Sequence, residues 1–377
     1  MSKTAHHVQV RISNNCESFI GESLYLTGSF INWEDHVYMG SIPQLGGTIE
    51  FDLGEVKSGD LELKLSRGNW DTLTATKDGQ LTPAQVEKIH EDSIVELSID
   101  AWRDQFPKST ASKQVHILDE HFFLPDLNVY RKVWIYLPKD YQASEKRYPV
   151  IYMHDGQHLF DEATSVGRAG PIEWMVDETI DAASNASIVV AIDHAQNYGL
   201  RQEEYLIHPG HGSEKAKGWA YLDDIVHTLK PFVDNNYRTL SDAQHTAIIG
   251  SSLAGLLSIY AGLKYPEVFG TVAPFSPSIW MDEVQLYAYS SKVLLEKSTD
   301  RLQQEFYFYI GELERRFRLM DNQNNMKLDL EKYYHWLEDK YNGILQLVTA
   351  QGAKHGAIYW QEAFRKFYAY WETKLIS

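Results

Sequence analysis

A serine lies within the run G-S-S-L-A-G at residues 250–255. Two β-branched residues, Ile248 and Ile249, precede this run, and an apolar pattern of helical period follows over 256–263. We therefore expect a strand, a sharp turn and a helix, with small residues on both sides of the turn. Such a turn raises one hydroxyl clear of the sheet, and the spacing predicts that Ser252 Oγ is a nucleophile.

The run departs at one position from G-x-S-x-G, the usual pattern of this kind of turn. Counted from Gly250, the last position is Ala254, and Gly255 follows it directly. Because alanine is also small, a close approach of the helix to the strand is still expected. The alternative is an ordinary turn of small residues at the start of a packed helix.

A serine hydroxyl is a weak nucleophile at neutral pH, so it needs a base, a group that orients the base, and N–H donors for the oxyanion. In α/β-hydrolases the order along the chain is serine, acid, histidine. Two histidines follow Ser252. His335 lies in a helical pattern and is expected to be structural, whereas His355 lies in a glycine-containing loop directly after a predicted strand at 344–348. This placement predicts His355 as the base.

The acid is expected in the loop after the apolar strand at 305–310. Gly311 ends that strand, and Glu314 lies in the loop that should face the serine. We therefore predict Glu314 as the acid. Glu312 and Asp321 are the alternatives, as is a serine–histidine pair with no essential acid.

Backbone N–H groups are expected to bind the oxyanion. One belongs to Leu253, the residue after the nucleophile. The other is placed in the segment H-D-G-Q at 154–157, which follows a strand at 150–153. Gly156 would let the backbone approach a bound carbonyl closely. The alternative for this segment is a tight turn in which Asp155 caps a helix.

The elements that position these residues follow two patterns. Residues 1–106 contain short alternating stretches separated by polar turns, which is typical of a β-sandwich. Residues 107–114 are polar, and we place a linker there. From 115 to 377, strands alternate with helical patterns, which predicts an α/β fold with a doubly wound, mostly parallel sheet. The expected strands include 8–12, 24–28, 48–53, 61–65, 93–99, 133–137, 150–153, 188–192, 305–310 and 344–348, and the expected helices include 219–233 and 364–375.

Net charge, cysteine content and the distribution of apolar residues limit the binding partners and the cellular location that we expect. The chain carries 35 Lys and Arg against 52 Asp and Glu, a formal net charge of −17, which disfavours nucleic acid and anionic membrane surfaces. Cys16 is the single cysteine, so we expect neither an intrachain disulfide nor a cysteine-based zinc site. The first residues lack the apolar core of a secretory signal, and no stretch approaches the ~20 apolar residues of a membrane span. These features predict a cytoplasmic protein with no membrane segment.

Several separated segments share an order along the chain that is typical of one family. They are R-K-V-W-I-Y-L-P at 131–138, Y-P-V-I-Y-M-H-D-G-Q-H-L-F-D at 148–161, Trp174 with D-E at 177–178, R-x-x-E-Y at 201–205, Y-P-E-V-F-G at 265–270, F-S-P-S-I-W at 275–280, G-x-x-E at 311–314, and His355 followed by Trp360. In this order they resemble the esterase family that includes the enterochelin esterases.

The resemblance spans about 115–375, with Ala254 as its main departure. It implies an α/β-hydrolase fold and ester hydrolysis through an acyl-enzyme, with no metal or organic cofactor. Because the family includes siderophore esterases, carbohydrate acyl esterases and thioester-acting relatives, the small-molecule ester substrate stays open.

Three further residues are candidates for substrate binding. Arg201, in the R-x-x-E-Y segment, would bind a polar or anionic group; the alternative is an Arg–Glu pair on a loop. Trp280 would line the acyl pocket, and core packing is its alternative. Gln157, beside the expected oxyanion residue, is the third candidate.

The N-terminal region has a resemblance of its own. The segments L-Y-L-T-G-S-F-I-N-W at 24–33, L-K-L-S-R-G-N-W-D at 63–71 and A-W-R-D at 101–104 are similar to a starch- or glycogen-binding module. The resemblance implies a small immunoglobulin-like sandwich in which Trp33 and Trp70 form a glycan platform, since a flat aromatic ring packs on a sugar face. The alternative is a module that shapes the active-site entrance or forms a homodimer contact.

These observations lead to two hypotheses of different class. The first is a serine carboxylic-ester hydrolase acting on a small ester of siderophore or carbohydrate type. The second is a glycan-binding protein whose hydrolase domain is inert.

Overall fold

The computed structural model describes residues 5–82, 84–165, 172–195, 197–210, 213–296, 304–315 and 325–375. The chain divides into two compact units. The first unit comprises residues 1–110 and 162–172, and the second comprises 111–161 and 173–377. The short segment 162–172 therefore groups with the first unit, although it lies within the sequence of the second.

The first unit is built from strands. A three-stranded sheet has the order β4-β1-β8, a four-stranded antiparallel sheet has the order β3-β2-β5-β7, and β6 pairs with β9. Strand β1 runs antiparallel to β4 and parallel to β8. The strands are β1 (Ala5–Asn14), β2 (Ser23–Gly28), β3 (Val37–Ser41), β4 (Thr48–Lys57), β5 (Gly59–Ser66), β6 (Thr74–Ala75), β7 (Gln85–Ile89), β8 (Ser93–Ile99) and β9 (Ala101–Trp102).

The period of two along these strands decides which residues are buried. In β1, Val8, Val10 and Ile12 are fully buried, and they share one hydrophobic core with the inward residues of both larger sheets, such as Leu63 of β5. The predicted all-β character of the N-terminal region is confirmed. Its immunoglobulin-like type stays a prediction.

The second unit is organised around an eight-stranded sheet of order β10-β11-β13-β12-β14-β15-β16-β17. The pairs β10–β11 and β11–β13 are antiparallel, and the remaining pairs are parallel. The strands are β10 (Val115–Leu124), β11 (Val129–Tyr136), β12 (Val150–His154), β13 (Ile188–Ile192), β14 (Thr246–Ser251), β15 (Thr271–Phe275), β16 (Glu305–Gly311) and β17 (Ile344–Ala350).

Helices cover both faces of this sheet. Alternate residues of the central strands point into two separate cores, as Ile248 and Ile249 of β14 show. One core receives helices α2 to α7, and the other receives α1 and α8. The helices are α1 (Val176–Asp181), α2 (Tyr198–Tyr205), α3 (Gly218–Asp224), α4 (Lys230–Asn236), α5 (Leu253–Lys264), α6 (Glu283–Glu296), α7 (Met326–Glu338) and α8 (Ala357–Lys374), with a π-helical turn over Ile225–Leu229 between α3 and α4.

This arrangement confirms the predicted doubly wound, mostly parallel sheet. Because β14, β15, β16 and β17 are parallel neighbours, the loops at their carboxyl ends meet at one edge of the sheet. Within the described parts of the chain, every helix is too short or too polar to cross a bilayer.

Candidate active site

Ser252 occupies a sharp turn between the last residue of β14 and the first residue of α5. Its backbone has φ 58° and ψ −119°, a conformation that costs a non-glycine residue on the order of 1–3 kcal/mol. Two backbone hydrogen bonds hold it: Ser252 N–H donates to Phe275 at 2.9 Å, and Ser278 N–H donates to Ser252 at 2.9 Å. The neighbouring strand β15 therefore fixes the turn.

The small residues around the turn are needed for close packing. A Cβ on Gly250 would lie 2.5 Å from the carbonyl oxygen of Ala254, and a Cβ on Gly255 would lie 2.8 Å from that of Phe275. Ala254 itself is fully buried. The helix therefore passes close to the backbone of β15 at Gly255, the position directly after Ala254.

A continuous set of hydrogen bonds joins the three residues of the predicted triad. Ser252 Oγ lies 3.0 Å from His355 Nε2, and His355 Nδ1 lies 2.8 Å from Glu314 Oε2. The Glu314 side chain has no exposed surface. Because a carboxylate only accepts, Nδ1 of the histidine carries the hydrogen, and Nε2 is left to accept from the serine hydroxyl. The structure therefore brings together three residues from the ends of β14, β16 and β17.

The alternatives for base and acid lie elsewhere. The exposed Glu312 accepts a hydrogen bond from the Gly352 N–H at 3.0 Å. His335 is in α7, where its exposed ring lies 2.7 Å from Glu338. Asp321 lies outside the described residues.

Two serines that received no predicted role also contact this group. Ser276 Oγ donates to Glu314 Oε1 at 2.6 Å, and Ser278 Oγ lies 3.1 Å from Ser252 Oγ. Both belong to the triplet S-P-S that directly follows β15. The sequence signal that could have identified them is a pair of serines directly after β15, the strand next to β14.

The two predicted oxyanion residues each begin a helical turn, and these turns follow β12 and β14, which are neighbours in the sheet. Leu253 is the first residue of α5, so its N–H has no acceptor within the helix. Gly156 begins a 3-10 turn directly beyond β12, where Asp155 has a left-handed φ of 59°. A Cβ on Gly156 would lie 3.0 Å from both Asp193 Oδ1 and the Trp134 ring, so a side chain is sterically disfavoured at this position.

His154, the last residue of β12, packs against the serine turn. Its Cδ2 would lie 2.7 Å from a Cβ on Gly250, and its Nδ1 lies 3.2 Å from Tyr221 Oη. Burial lowers the pKa of His154 to about 4. This imidazole is therefore neutral at pH 7 and adds no charge beside the nucleophile.

Asp155, within the predicted oxyanion segment 154–157, forms a buried ion pair with Arg201 of α2. Arg201 Nε and Nη2 donate to the two Asp155 oxygens, each at 2.7 Å. Burial alone would raise the pKa of the Asp155 carboxyl, but the Arg201 charge and hydrogen bonds outweigh it and hold that pKa well below its ordinary value. Asp155 directly precedes the 3-10 turn Gly156–His158, as the capping alternative expects, but its side chain makes no capping hydrogen bond. The partner of Arg201 is an aspartate rather than a glutamate, and its role in substrate binding stays a prediction.

We expect Arg201→Met to lower the free energy of unfolding by about 3–5 kcal/mol, because it leaves the buried Asp155 carboxylate without its counter-charge. Differential scanning calorimetry at pH 7.5 measures the loss. The matched control is Arg365→Met, which removes an exposed pair with Glu362 and should change stability by no more than about 1 kcal/mol. Equal small effects of both variants would contradict a stabilising role for the Asp155–Arg201 pair.

The remaining candidates are placed as follows. Gln157 Oε1 accepts a hydrogen bond from the His194 N–H at 3.2 Å. Trp280 lies in the 3-10 turn Ile279–Met281 and packs against the larger core, which favours the packing alternative. In the first unit, the half-buried rings of Trp33 and Trp70 have centroids 6.2 Å apart and planes inclined by 35°.

Among the described residues, one group of three carboxylates has the spacing of a cation site. Glu173, Asp177 and Glu178 offer oxygens within 4.8 Å of one another. Burial, followed by the charges of Glu173 and Asp177, raises the pKa of Glu178 to about 9. A proton therefore already neutralises one of the three at pH 7.

Comparison with known proteins decides the family. Residues 125–372 match the family model described as "Putative esterase". The chain belongs to this family. The matched residues include strands β11 to β17 of the sheet and the serine turn after β14.

Two curated relatives were compared in sequence. YjcH of Bacillus subtilis, described as uncharacterized, is 29% identical over 170 residues, which is 45% of this chain and 65% of that protein. A siderophore triacetylfusarinine C esterase of Aspergillus fumigatus is 27% identical over 158 residues, which is 39% of this chain and 49% of that protein. The chain thus spans less than two thirds of the length of these relatives.

A solved structure extends the likeness in fold. The enterobactin esterase FES from Shigella flexneri aligns with a TM-score of 0.50 at 15% identity, covering 93% of this chain and 87% of that one. At this identity the likeness shows the α/β-hydrolase fold alone.

Proposed function

We propose that this protein is a serine carboxylic-ester hydrolase that works through an acyl-enzyme. One observation carries the proposal: the unbroken hydrogen-bond series from Ser252 Oγ through both nitrogens of His355 to the fully buried carboxylate of Glu314. Membership of the esterase family supports the same activity. The alternative, an inert hydrolase domain, is not favoured, because the chain belongs to an esterase family and two of its relatives are named as siderophore esterases.

In the proposed first step, Ser252 Oγ attacks the ester carbonyl carbon while its proton passes to His355 Nε2. Glu314 keeps the imidazole in the tautomer that accepts this proton and stabilises the imidazolium that forms. The carbonyl π-electrons move onto oxygen, and the N–H groups of Leu253 and Gly156 are proposed to bind that oxyanion.

The tetrahedral intermediate then collapses. The bond to the alcohol oxygen breaks as His355 gives its proton to the leaving group, and the acyl group stays on Ser252. Water repeats the sequence, with His355 as its base, and releases the carboxylic acid. Asp155 and Arg201, which fix the loop before Gly156, support the oxyanion loop in this scheme.

We infer that the substrate is a small ester of siderophore or carbohydrate type. Names of the relatives support the first of these classes, since one is a triacetylfusarinine C esterase and another is an iron(III) enterobactin esterase of Escherichia coli. Gln157, Arg201 and Trp280 remain the proposed substrate-binding residues. Homodimer formation and a cytoplasmic location also stay predictions.

The deciding experiment combines turnover with covalent labelling. The wild-type protein is assayed with p-nitrophenyl acetate and butyrate and is treated with a fluorophosphonate probe, and the labelled peptide is identified by mass spectrometry. Turnover with the label on Ser252 supports the proposal, and the acetate-to-butyrate ratio sizes the acyl pocket. The absence of both turnover and labelling would overturn the proposal.

A second candidate function is glycan binding by the first unit. The paired rings of Trp33 and Trp70, with His36 centred 5.1 Å from Trp70, favour it, because sugars pack on exposed aromatic faces. We expect retention on amylose or glycogen in affinity electrophoresis, and Trp33→Ala should weaken that retention. Identical mobility with and without polysaccharide would reject this function and leave ester hydrolysis untouched.

A further inference from the structure

Ser276 occupies an unfavourable backbone conformation at the end of β15. Its φ is 46°, it is fully buried, and Pro277 follows it. A residue before proline favours extended backbone, and a left-handed φ costs a non-glycine residue on the order of 1–3 kcal/mol. Such a conformation persists only where the surrounding contacts enforce it.

The Ser276 hydroxyl connects the triad acid to a tryptophan. Ser276 Oγ donates to Glu314 Oε1 at 2.6 Å, and the Gly311 N–H donates to the same oxygen at 2.8 Å. In turn, Ser276 Oγ accepts the indole N–H of Trp360 at 3.0 Å. The oxygen of Glu314 that does not face His355 is therefore held by two donors, and one of these donors is itself held.

Trp360 also contacts the histidine. Its ring stands edge-to-face with the His355 ring, with centroids 5.0 Å apart and planes at 87°. The contacts thus form a closed circuit from His355 through Glu314, Ser276 and Trp360 back to His355. One residue of α8 restrains both the base and, through a serine, the acid.

We propose that Ser276 and Trp360 are positioning residues for the base and the acid. The proposal rests on the proposed ester hydrolysis, since it assigns their task at that same site. Neither residue touches the reacting atoms. Ser276 fixes the Glu314 carboxylate in the rotamer that faces His355, and Trp360 orients the Ser276 hydroxyl toward that carboxylate and limits tilting of the imidazole.

If Ser276 positions the acid, its removal should change the proton affinity of the His355–Glu314 pair, whereas a merely structural serine should leave that affinity unchanged. The Ser276 O–H stabilises the Glu314 anion, so its removal concentrates negative charge on the carboxylate. A more negative carboxylate stabilises the protonated form of the His355–Glu314 pair. The acid limb of the kcat/KM profile, which requires the unprotonated base, should then move to higher pH.

The experiment compares Ser276→Ala, Trp360→Phe and the double variant. For Ser276→Ala we expect kcat to fall ~10–100-fold with KM within about twofold, as for the loss of a hydrogen bond to a charged group. The acid limb should move to higher pH than in the wild type. Trp360→Phe, which keeps a ring against His355, should have a smaller effect, and it should add little in the Ser276→Ala background because the same series of bonds is already broken.

The chain offers a matched control pair. Trp371, on the same helix α8, donates its indole N–H to the buried hydroxyl of Ser187, also at 3.0 Å. Ser187→Ala and Trp371→Phe therefore remove the same chemical groups at a site outside the triad. We expect them to lower the melting temperature without moving the acid limb.

Two outcomes would overturn the proposal: a Ser276→Ala enzyme with unchanged kcat and acid limb, or strict additivity of the two single variants. If Ser276→Ala does not fold, Trp360→Phe carries the same comparison. Titration of the His355 ring by NMR reads the shift without turnover, so it tests positioning even where the ester assay fails. Absence of wild-type turnover and labelling, by contrast, refutes the proposed function rather than the positioning role.

Discussion

Ser252→Ala should lower kcat for p-nitrophenyl acetate at least ~10³-fold, because it removes the atom to which the acyl group would be attached. His355→Ala should cost about as much, since Ser252 Oγ at 3.0 Å from Nε2 has no other base in the described site. Residues of such a unit are strongly non-additive. The double variant should therefore be no slower than either single one, within a small factor.

The measurement is kcat and KM for the three variants beside the wild type, together with the rate of fluorophosphonate labelling. Ser251→Ala is the matched control, because it removes the adjacent hydroxyl of the same G-S-S run. It should keep both turnover and labelling. If Ser252→Ala retains near-normal activity, or if Ser251→Ala removes the label, the nucleophile has been assigned to the wrong serine.

The strands predicted most accurately are those whose burial is uniform. Residues 188–192 were predicted as a strand, and β13 spans the same residues because all five are buried on both faces. By contrast, β15 was missed. It contains Pro274, which lacks an N–H for the sheet and argues against an interior strand in a sequence pattern. In the structure Pro274 lies opposite Gly250 of β14, and the register of β15 with β16 skips Ala273 and Pro274.

Strand β10 was missed for the opposite reason. It is the edge of the sheet, β11 is its one partner among the described strands, and its register with β11 shifts twice. Most of its residues are exposed or half-buried, and charged and apolar residues mix along it. The sequence of β10 therefore shows little of the alternating apolar pattern that predicts a strand. Helix α8 was predicted to begin at 364 but begins at Ala357, and the missing turns include Trp360.

The candidate site was predictable where chain order alone suffices. Serine, acid and histidine each follow a strand, so their order and loops could be read along the sequence. The contacts that support the triad and the oxyanion loop could not be predicted from the sequence. Ser276 and Glu314 are 38 residues apart, and Asp155 and Arg201 are 46 apart. Their contacts depend on which strands are neighbours in the sheet, and that information is absent from any local pattern.

The acid gives the second large effect. Glu314→Gln should lower kcat by roughly 10³–10⁴-fold while the fold is retained, because the amide is nearly the same shape as the carboxylate. Its carbonyl oxygen can still accept from Ser276 and the Gly311 N–H, so its NH₂ is directed at His355 Nδ1. That donor forces Nδ1 to accept and leaves the hydrogen on Nε2, where the imidazole can no longer take the serine proton.

Variants of the two alternative acids, Glu312 and Asp321, test whether Glu314 is the acid. Glu312→Gln changes an exposed carboxylate of the same loop, which accepts a hydrogen bond from the Gly352 N–H, and should leave kcat within about threefold. Asp321→Asn belongs in the same comparison as the other sequence alternative. Calorimetry should show Glu314→Gln melting close to the wild type, so that lost activity reflects the tautomer rather than unfolding. A larger loss in Asp321→Asn than in Glu314→Gln would mean that the acid is Asp321, and equal activity of all three variants would mean that serine and histidine act without an acid.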